Sequence, residues 1–212
     1  MGFPEYLVDR FQRFKFRHFA PNSNHYQDLA EHGQKPEVML VSCCDSRVDP
    51  ETIFSAMPGE LFVVRNVANL VPPYETGGNY HGVSAALEFA VLNLKVKHIV
   101  IMGHSSCGGI TAALHGHAAE ETEARFISNW MSMLDEAKSR LKMAHPGTTE
   151  KHVLQQKMEC AGIVASLANL RTFPCVQQLE AKGRLQLHGA HFDIGTGQLL
   201  VLDEATKQFN AV

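Results

Sequence analysis

Two stretches of the sequence, VMLVSCCDSR at residues 38–47 and IVIMGHSSCGG at residues 99–109, have the same organisation. In each stretch four apolar residues come first, and residues with sulfur, imidazole or carboxylate side chains follow. Short apolar runs without alternation are typical of parallel strands that are buried on both faces. Two distant pieces of chain can therefore bring their polar residues to one point.

The rest of the chain predicts an α/β fold around these strands. Another apolar run, LFVV at residues 61–64, is followed by the helical pattern AALEFAVL at residues 85–92. This alternation indicates a mostly parallel central sheet with flanking helices. Further helices are predicted over about residues 120–142 and 152–170, with a break at AHPG, residues 144–147. The segment from Leu185 to Leu202, with a Gly-Thr-Gly turn at residues 195–197, predicts a C-terminal hairpin or edge strand.

An amphipathic helix is predicted near the start of the chain. Leu7, Phe11 and Phe14 recur at helical spacing, while arginines at positions 10, 13 and 17 share another face. A basic and aromatic stripe is compatible with RNA or a membrane surface. The modest net charge favours a different interpretation, in which the aromatic face packs on the core or on a partner subunit. We treat residues 1–33 as a helical arm of a single domain that spans residues 1–212.

The composition excludes several classes of partner. Against 19 lysines and arginines stand 22 aspartates and glutamates, which gives a net charge of −3 and no sign of a nucleic-acid surface. No apolar stretch approaches the roughly 18 residues that span a bilayer, so no membrane partner is expected. Five cysteines are an odd number, and the first residues lack the apolar core of a secretory signal. We therefore expect reduced thiols and a cytoplasmic location.

The polar residues after the two strands are candidate metal ligands. Two cysteines and one histidine suit Zn²⁺, and three protein ligands leave a fourth tetrahedral position free. Successive strand residues point to opposite faces, which favours Cys43 over Cys44 as the first ligand. Each cysteine taken alone also fits a small buried apolar residue. The spacing of His104 and Cys107 on a tight turn before two glycines strengthens the metal interpretation.

Asp45 and Arg47 form a second candidate pair beside the first cysteine. Their spacing places them on one face, where Arg47 can hold Asp45 ionised. Next to a zinc ligand, such a carboxylate orients the attacking nucleophile. The alternative is an ordinary salt bridge at the end of a strand, which contributes little when exposed.

These motifs resemble the β-class carbonic anhydrases. The CxDSR sequence at residues 43–47 is similar to the first zinc motif of that family, and GHxxCGG at residues 103–109 is similar to the second. Between them, VRNVAN at residues 64–69, VPPY at 71–74 and EFAV at 88–91 resemble further family stretches in the same order. The resemblance runs from about residue 31 to residue 114 and resumes in the final hairpin.

The resemblance implies one Zn²⁺ per chain, bound by Cys43, His104 and Cys107, with Asp45 and Arg47 as the catalytic dyad. It implies reversible hydration of CO₂ to bicarbonate and a proton by attack of a zinc-bound hydroxide. It also implies a homodimer, because the pocket of the family forms between subunits, and pairing of dimers into tetramers stays open. The substrate-binding positions that it suggests are Gln34, Phe62, Val67, Phe89 and Gly108.

Two further expectations concern proton transfer and regulation. His81 is our candidate for the residue that carries the proton to solvent. Some members of the family close the zinc site with the aspartate and bind a regulatory bicarbonate through a tryptophan and a tyrosine. Here Leu40 and the sequence AHF at residues 190–192 stand at those places, so we expect an open site with water as fourth ligand.

Two alternative functions stay open from the sequence. The same zinc chemistry suits hydrolysis of CS₂ or COS, and a structural or redox-sensing zinc–thiolate site would use Cys44 or another thiol as fourth ligand. The Asp45–Arg47 pair speaks against a closed site, which needs no oriented nucleophile. Because two thiolates donate more negative charge than imidazoles, we predict CO₂ hydration that rises through alkaline pH.

Overall fold

The computed structural model describes residues 2–78, 80–115, 125–144 and 150–212, and is built around one sheet. Its strands are β1 Val38–Cys43, β2 Leu61–Asn66, β3 His98–His104, β4 Gln186–Phe192, β5 Leu199–Asp203 and β6 Gln208–Ala211. They lie in the order β2-β1-β3-β4-β5-β6, with β1 to β4 parallel and the last two antiparallel. The predicted α/β fold with a mostly parallel sheet and a C-terminal hairpin is confirmed.

The helices lie along the sheet and at its edges. They are α1 Glu5–Phe14, α2 Ser23–His32, α3 Pro50–Ile53, α4 Gly82–Glu88, α5 Gly108–His115, α6 Arg125–Met131, α7 Asp135–Ala144, α8 Lys151–Leu170 and α9 Pro174–Ala181. Wider π turns at Lys15–Phe19 and Phe89–Leu94 extend α1 and α4, and 3₁₀ turns cover Ala20–Asn22, Val67–Asn69 and Ser132–Leu134. Within the described ranges, no helix is long and apolar enough to cross a membrane.

The predicted helices after the third strand are present where the structure describes them. The stretch predicted as helical over residues 120–142 contains α6 and α7, joined by a 3₁₀ turn, while residues 120–124 lie outside the described part. The helix predicted over residues 152–170 is α8, which begins one residue earlier. Most of the predicted break, residues 145–147, also lies outside the described residues.

The amino-terminal arm is helical but does not pack into the core of its own chain. None of the residues 5–32, all of them described, is buried. The aromatic rings contact one another instead, with Phe14 6.3 Å from Phe11 and 6.2 Å from Tyr26 between ring centroids. Of the two expectations for this face, packing on the core is therefore wrong within one chain. Packing on a partner subunit stays a prediction.

Helix α8 lies against the middle of the sheet because two glycines remove side chains at the contact. A Cβ atom added to Gly103 on β3 would lie 2.9 Å from Ile163, and one added to Gly189 on β4 would lie 2.8 Å from the same side chain. Real Cβ atoms do not approach that closely, so glycine allows the helix backbone to sit near the strands. The contact brings α8 close to the carboxyl end of β3.

The carboxyl ends of β1 and β3 lie side by side in the sheet. Ser42 of β1 pairs with Met102 of β3, so Cys43 and His104 end two neighbouring strands at nearly the same level. Strand β1 is buried along almost its whole length, as predicted. Strand β2 is only half-buried, because it forms the edge of the sheet and has a neighbour on one side alone.

Candidate metal centre

Three predicted ligands meet at the carboxyl edge of the sheet. Cys43 ends β1, His104 ends β3, and Cys107 follows in the turn before α5. All three residues are buried, and their ligand atoms lie within 4.8 Å of one another. Cys44 is exposed and lies outside this group. The structure therefore groups Cys43, the cysteine that strand alternation favours, with His104 and Cys107 and leaves Cys44 apart.

The turn between His104 and Cys107 is held by the neighbouring strand. The Ser105 N–H donates to Phe192 O at 2.9 Å, and the Ser105 hydroxyl accepts from the Ile194 N–H at 2.9 Å. Ser106 adopts a left-handed backbone conformation with φ of 58°. Such a conformation costs a residue other than glycine roughly 1–3 kcal/mol and persists only where the surroundings enforce it. The turn that presents Cys107 is therefore over-determined by its contacts.

The donor atoms fit a zinc ion. His104 Nδ1 lies 2.9 Å from Ser105 O and donates to it, which leaves the lone pair of Nε2 for a metal. Nε2 is buried and has no hydrogen-bond partner among the described residues. The sulfurs of Cys43 and Cys107 are 3.9 Å apart. Two thiolates at tetrahedral positions about 2.3 Å from zinc would be roughly 3.8 Å apart, so the spacing suits this ion.

The two sulfurs are within hydrogen-bond distance of each other. A hydrogen bond between them lowers the pKa of Cys43. The same hydrogen bond, together with burial, raises the pKa of Cys107 far above its usual range. One thiolate thus forms readily, but the second needs a positive charge beside it. A divalent cation at this point provides that charge.

Asp45 and Arg47 form a two-point ion pair beside the ligands. Asp45 Oδ1 accepts from Arg47 Nε at 2.9 Å and from the Arg47 N–H at 3.0 Å, and Oδ2 accepts from Nη2 at 2.7 Å. These bonds hold the pKa of Asp45 well below its usual range. Arg47 Nη2 also donates to Ser106 O at 3.2 Å, which ties the pair to the turn between His104 and Cys107.

Arg65 holds the loop that carries the dyad, a role that the sequence did not reveal. From β2 its guanidinium donates to Cys43 O at 3.0 Å and to Asp45 O at 2.7 Å. It also lies 3.3 Å from the Asp49 carboxylate. In the sequence, Arg65 is singled out only as part of the VRNVAN stretch that resembles the family. Its pairing with Ser42 at the carboxyl end of β1 is what brings it to the loop.

The predicted substrate residues divide into two groups in the single chain. Val67 packs in the same apolar cluster as Cys43 and Cys107, and Gly108 begins α5 directly after the last ligand. Phe62 and Phe89 contact each other at 5.9 Å between ring centroids. They lie away from the ligands.

The second group is separated from the ligands along the sheet. Phe62 pairs with Met39, four residues before Cys43, which is roughly 13 Å along the strand. Gln34 is exposed and precedes the start of β1, whereas Cys43 lies at the other end of that strand. One chain therefore does not bring all the predicted substrate residues together.

The structure also describes the surroundings of the residues named for proton transfer and for the regulatory site. His81 is exposed at the start of α4, with its Nε2 2.6 Å from Gly77 O. Leu40 is buried in an apolar cluster with Met102 and Ala190. His191 is buried and points to Glu159. Sequence reasoning missed Glu159, whose only signal was a charged residue between Met158 and Cys160 in a helix.

Comparison with known proteins identifies close relatives of this site and fold. Residues 38–199 match the family model described as carbonic anhydrase. The chain is 37% identical to a carbonic anhydrase of Pseudomonas aeruginosa over 203 residues, which cover 96% of the chain and 89% of that protein. It is 38% identical to the chloroplastic β carbonic anhydrase 5 of Arabidopsis thaliana over 188 residues, 88% of the chain and 60% of that protein.

Solved structures agree with the sequence comparison. The β-carbonic anhydrase CcaA superposes with a TM-score of 0.89 at 31% identity, over 98% of this chain and 91% of that one. A structure from a study of two tetrameric β-carbonic anhydrases of Sordaria macrospora gives a TM-score of 0.78 at 30% identity, over 93% and 95% of the two chains. The similarity therefore covers nearly the whole chain.

Proposed function

Because the chain belongs to the β-class carbonic anhydrases, we propose that Asp45 and Arg47 form the catalytic dyad of its zinc centre. The chain is an enzyme that catalyses the zinc-dependent, reversible hydration of CO₂ to bicarbonate and a proton. Zinc, when bound by the Cys-His-Cys group, supplies Lewis-acid activation of water and so a strong nucleophile near neutral pH. The observation that carries the proposal is the two-point contact of Arg47 with Asp45 beside that group.

The hydrogen bonds of Asp45 define what it does. Its carboxylate accepts three bonds from Arg47. An ionised carboxylate has about four acceptor sites, so one remains for the nucleophile. Because Arg47 holds the pKa of Asp45 low, the group stays ionised and only accepts. Asp45 therefore selects a nucleophile that donates a hydrogen bond to it, and this bond fixes the direction of the nucleophile. The proton produced by the reaction is released elsewhere.

The carboxyl edge of the sheet also supports a binding place for the product. Gly108 is the first residue of α5, and, apart from its chain neighbours and its own helix, no atom of the described residues lies within 4 Å of the position that its Cβ would occupy. Free N–H groups at a helix start attract anions. The Gly108 N–H, with Val67 as an apolar wall, is our proposal for the contact with bicarbonate.

The substitution Asp45→Asn tests the dyad. It preserves the size of the side chain but removes its charge and one acceptor oxygen. We expect about one zinc per chain as in the wild type, while CO₂ hydration falls about 10- to 100-fold. Stopped-flow hydration and metal analysis measure the two quantities. Glu37→Gln is the control, because it removes an exposed ion pair with Lys97 at the other end of β1. Unchanged hydration in Asp45→Asn would contradict the dyad.

We also propose that the chain acts as a homodimer in which each pocket uses residues of both copies. Gln34, Phe62 and Phe89 lie apart from the ligands of their own chain, and a second copy offers a way to bring them to a zinc centre. The exposed aromatic face of the arm, with Phe11 54% exposed, supplies apolar surface for the contact. The tetrameric relatives of Sordaria macrospora support association of this chain with copies of itself.

The substitution Phe11→Ser tests the dimer. It places a polar group in the aromatic cluster of the arm, so we expect a shift toward monomer in analytical ultracentrifugation and a parallel loss of hydration. Phe126→Ser is the matched control, because Phe126 is a highly exposed phenylalanine on α6, outside the arm, and its substitution is expected to leave the dimer intact. A wild-type chain that sediments as a monomer while fully active would refute the shared pocket.

The remaining proposals concern domain structure, location and proton transfer. We propose that residues 1–212 form one domain with the arm at 1–33, and that the protein works in the cytoplasm. All five cysteines are free, and two of them are needed as thiolates, which suits a reducing compartment. Imaging of the tagged protein in its own cell tests the location.

His81 stays our candidate for the residue that transfers the proton to solvent. Slower CO₂ hydration by the His81→Ala variant in dilute buffer would support this role.

A further inference from the structure

A buried carboxylate lies directly behind one of the metal ligands. Glu159 of α8 is only 3% exposed. Its Oε1 accepts from the Cys107 N–H at 3.1 Å and from Gln155 Nε2 at 2.8 Å. A carboxylate that leaves water without partners is very costly, so these donors account for its presence in the core. The catalytic dyad does not use this group.

Helix α8 satisfies both backbone polar groups of Cys107. Glu159 takes the Cys107 N–H, and Gln155, one helical turn earlier, donates to Cys107 O at 3.0 Å. The Thr111 hydroxyl lies 3.1 Å from the same carbonyl and 3.1 Å from Gln155 Oε1, and its single proton serves one of these two acceptors at a time. The peptide groups on either side of the ligand are therefore fixed to α8 and α5.

His191 of β4 orients Glu159 from the opposite side. Its Nε2 lies 2.9 Å from Glu159 Oε2, and the ring is 1% exposed. His191 pairs in the sheet with Gly103, the residue before His104. The hydrogen-bonded group thus connects α8, β4 and the turn after β3. Helix α8 and strand β4 therefore both contact the segment from His104 to Cys107, which carries two of the metal ligands.

We propose that Glu159 is a positioning residue that, oriented by His191 and Gln155, holds Cys107 in its metal-binding place. The left-handed conformation of Ser106 makes the turn costly to form, so contacts from outside must maintain it. Removing the acceptor frees the Cys107 N–H and allows the sulfur to move away from Cys43. Outer contacts of this kind typically contribute about 10- to 100-fold to metal affinity.

Zinc affinity, measured by competition with a chromophoric chelator, tests the proposal independently of activity. In Glu159→Ala we expect affinity to fall about 10- to 100-fold. Glu159→Gln retains an oxygen for the Cys107 N–H, so affinity should recover most of that loss. Cobalt(II) substitution adds a spectroscopic readout, because thiolate-to-cobalt absorption reports the placement of the sulfurs. We expect that absorption to weaken in Glu159→Ala and to return in Glu159→Gln.

A matched control separates positioning from general loss of stability. Ser166 is equally buried on α8 and bonds the 69–71 segment, so Ser166→Ala should lower the melting temperature without changing zinc affinity. Wild-type affinity in a folded Glu159→Ala, or an equal loss of affinity in Ser166→Ala, would overturn the proposal. If Glu159→Ala does not fold, the half-buried Gln155→Ala takes its place. Unchanged affinity in that variant would overturn the proposal as well.

Discussion

The loop after β1 and the turn after β3 each carry a sulfur to the metal centre, but groups of opposite charge hold them. The loop carrying Cys43 and Asp45 is held by the guanidinium of Arg65, which binds backbone carbonyls. The turn carrying Cys107 is held by the buried carboxylate of Glu159, which binds a backbone N–H. The loop side is open to solvent at Arg47, whereas the support of the turn is sealed in the core. The exposed side is therefore suited to chemistry and the buried side to holding metal.

The largest effect expected is loss of zinc when either sulfur is removed. Cys43→Ala and Cys107→Ala each leave two ligands, and we expect metal analysis to find less than about a tenth of the wild-type zinc. Cys44→Ala is the internal control, because Cys44 is exposed and outside the ligand group. It should retain about one zinc per chain. If Cys44→Ala lost its zinc, the interpretation as a closed structural site would return.

Next in size is the effect of Arg47→Ala, which removes the exposed ion-pair partner of Asp45. Arg47 depresses the pKa of Asp45, so in the wild type the carboxylate stays ionised well into acid. Stability from this pair is present above the ordinary aspartate pKa and is lost only as pH falls through the lower folded value. Without Arg47 the folded value moves up toward the ordinary one.

The activity of Arg47→Ala reports this change. We expect hydration to fall about tenfold at pH 8, with zinc retained, and the loss to deepen only as pH falls toward about 4, where an aspartate of ordinary pKa becomes protonated. Stopped-flow assays across that range, with Arg47→Lys as the variant that keeps the charge, measure the effect. A loss that is the same at every pH would argue against a role in holding Asp45 ionised.

A smaller effect is expected for Arg65→Gln, which weakens the support of the loop. The variant loses the donors to Cys43 O and Asp45 O, so the dyad should be misplaced more than the metal. We expect kcat to fall several-fold while zinc affinity changes less than in Glu159→Ala. Measuring both quantities in both variants compares the two supports directly. The reverse ranking would show that the division between chemistry and metal holding is wrong.

The smallest effect concerns two adjacent glycines at the start of α5. A Cβ on Gly109 would lie 2.8 Å from Val67 Cγ1 and 3.0 Å from Ala68 Cβ, whereas nothing lies within 4 Å of a Cβ on Gly108. We expect Gly109→Ala to destabilise the protein by about 1–3 kcal/mol, the usual cost of overpacking. Gly108→Ala should be close to the wild type. Thermal unfolding of the zinc-loaded variants measures the difference, and equal melting temperatures would contradict it.

The elements of the fold were predictable where the apolar pattern of the sequence was clear. The runs at residues 38–41, 61–64 and 99–102 are strands, and the hairpin formed by β4 and β5 is present. The final strand β6 was not predicted, because a run of four residues is too short to identify by its pattern and its formation depends on pairing with β5. The half-burial of β2 was missed as well, since edge and central strands have similar sequences.

The site divides in the same way. Cys43, His104 and Cys107 were identified because zinc requires those side chains and because strand alternation excludes Cys44. The pairing of Asp45 with Arg47 follows from local spacing and is present. Arg65 and Glu159 were not recognised as supports, since each acts on backbone atoms far away in sequence. Backbone acceptors and donors leave no mark on the sequence at the position they contact.

By itself the sequence determined the order of strands and helices and the family of the protein, and it predicted the side chains that form the candidate metal centre. These properties depend on local periodicity and on the chemistry of side chains, which are written along the chain. Only the tertiary structure decided that α8 reaches Cys107 through Glu159, and that Phe62 and Gln34 lie away from the zinc centre of their own chain. Those relations depend on sheet register and on close packing at Gly103 and Gly189, where distances between remote segments are set by the whole fold.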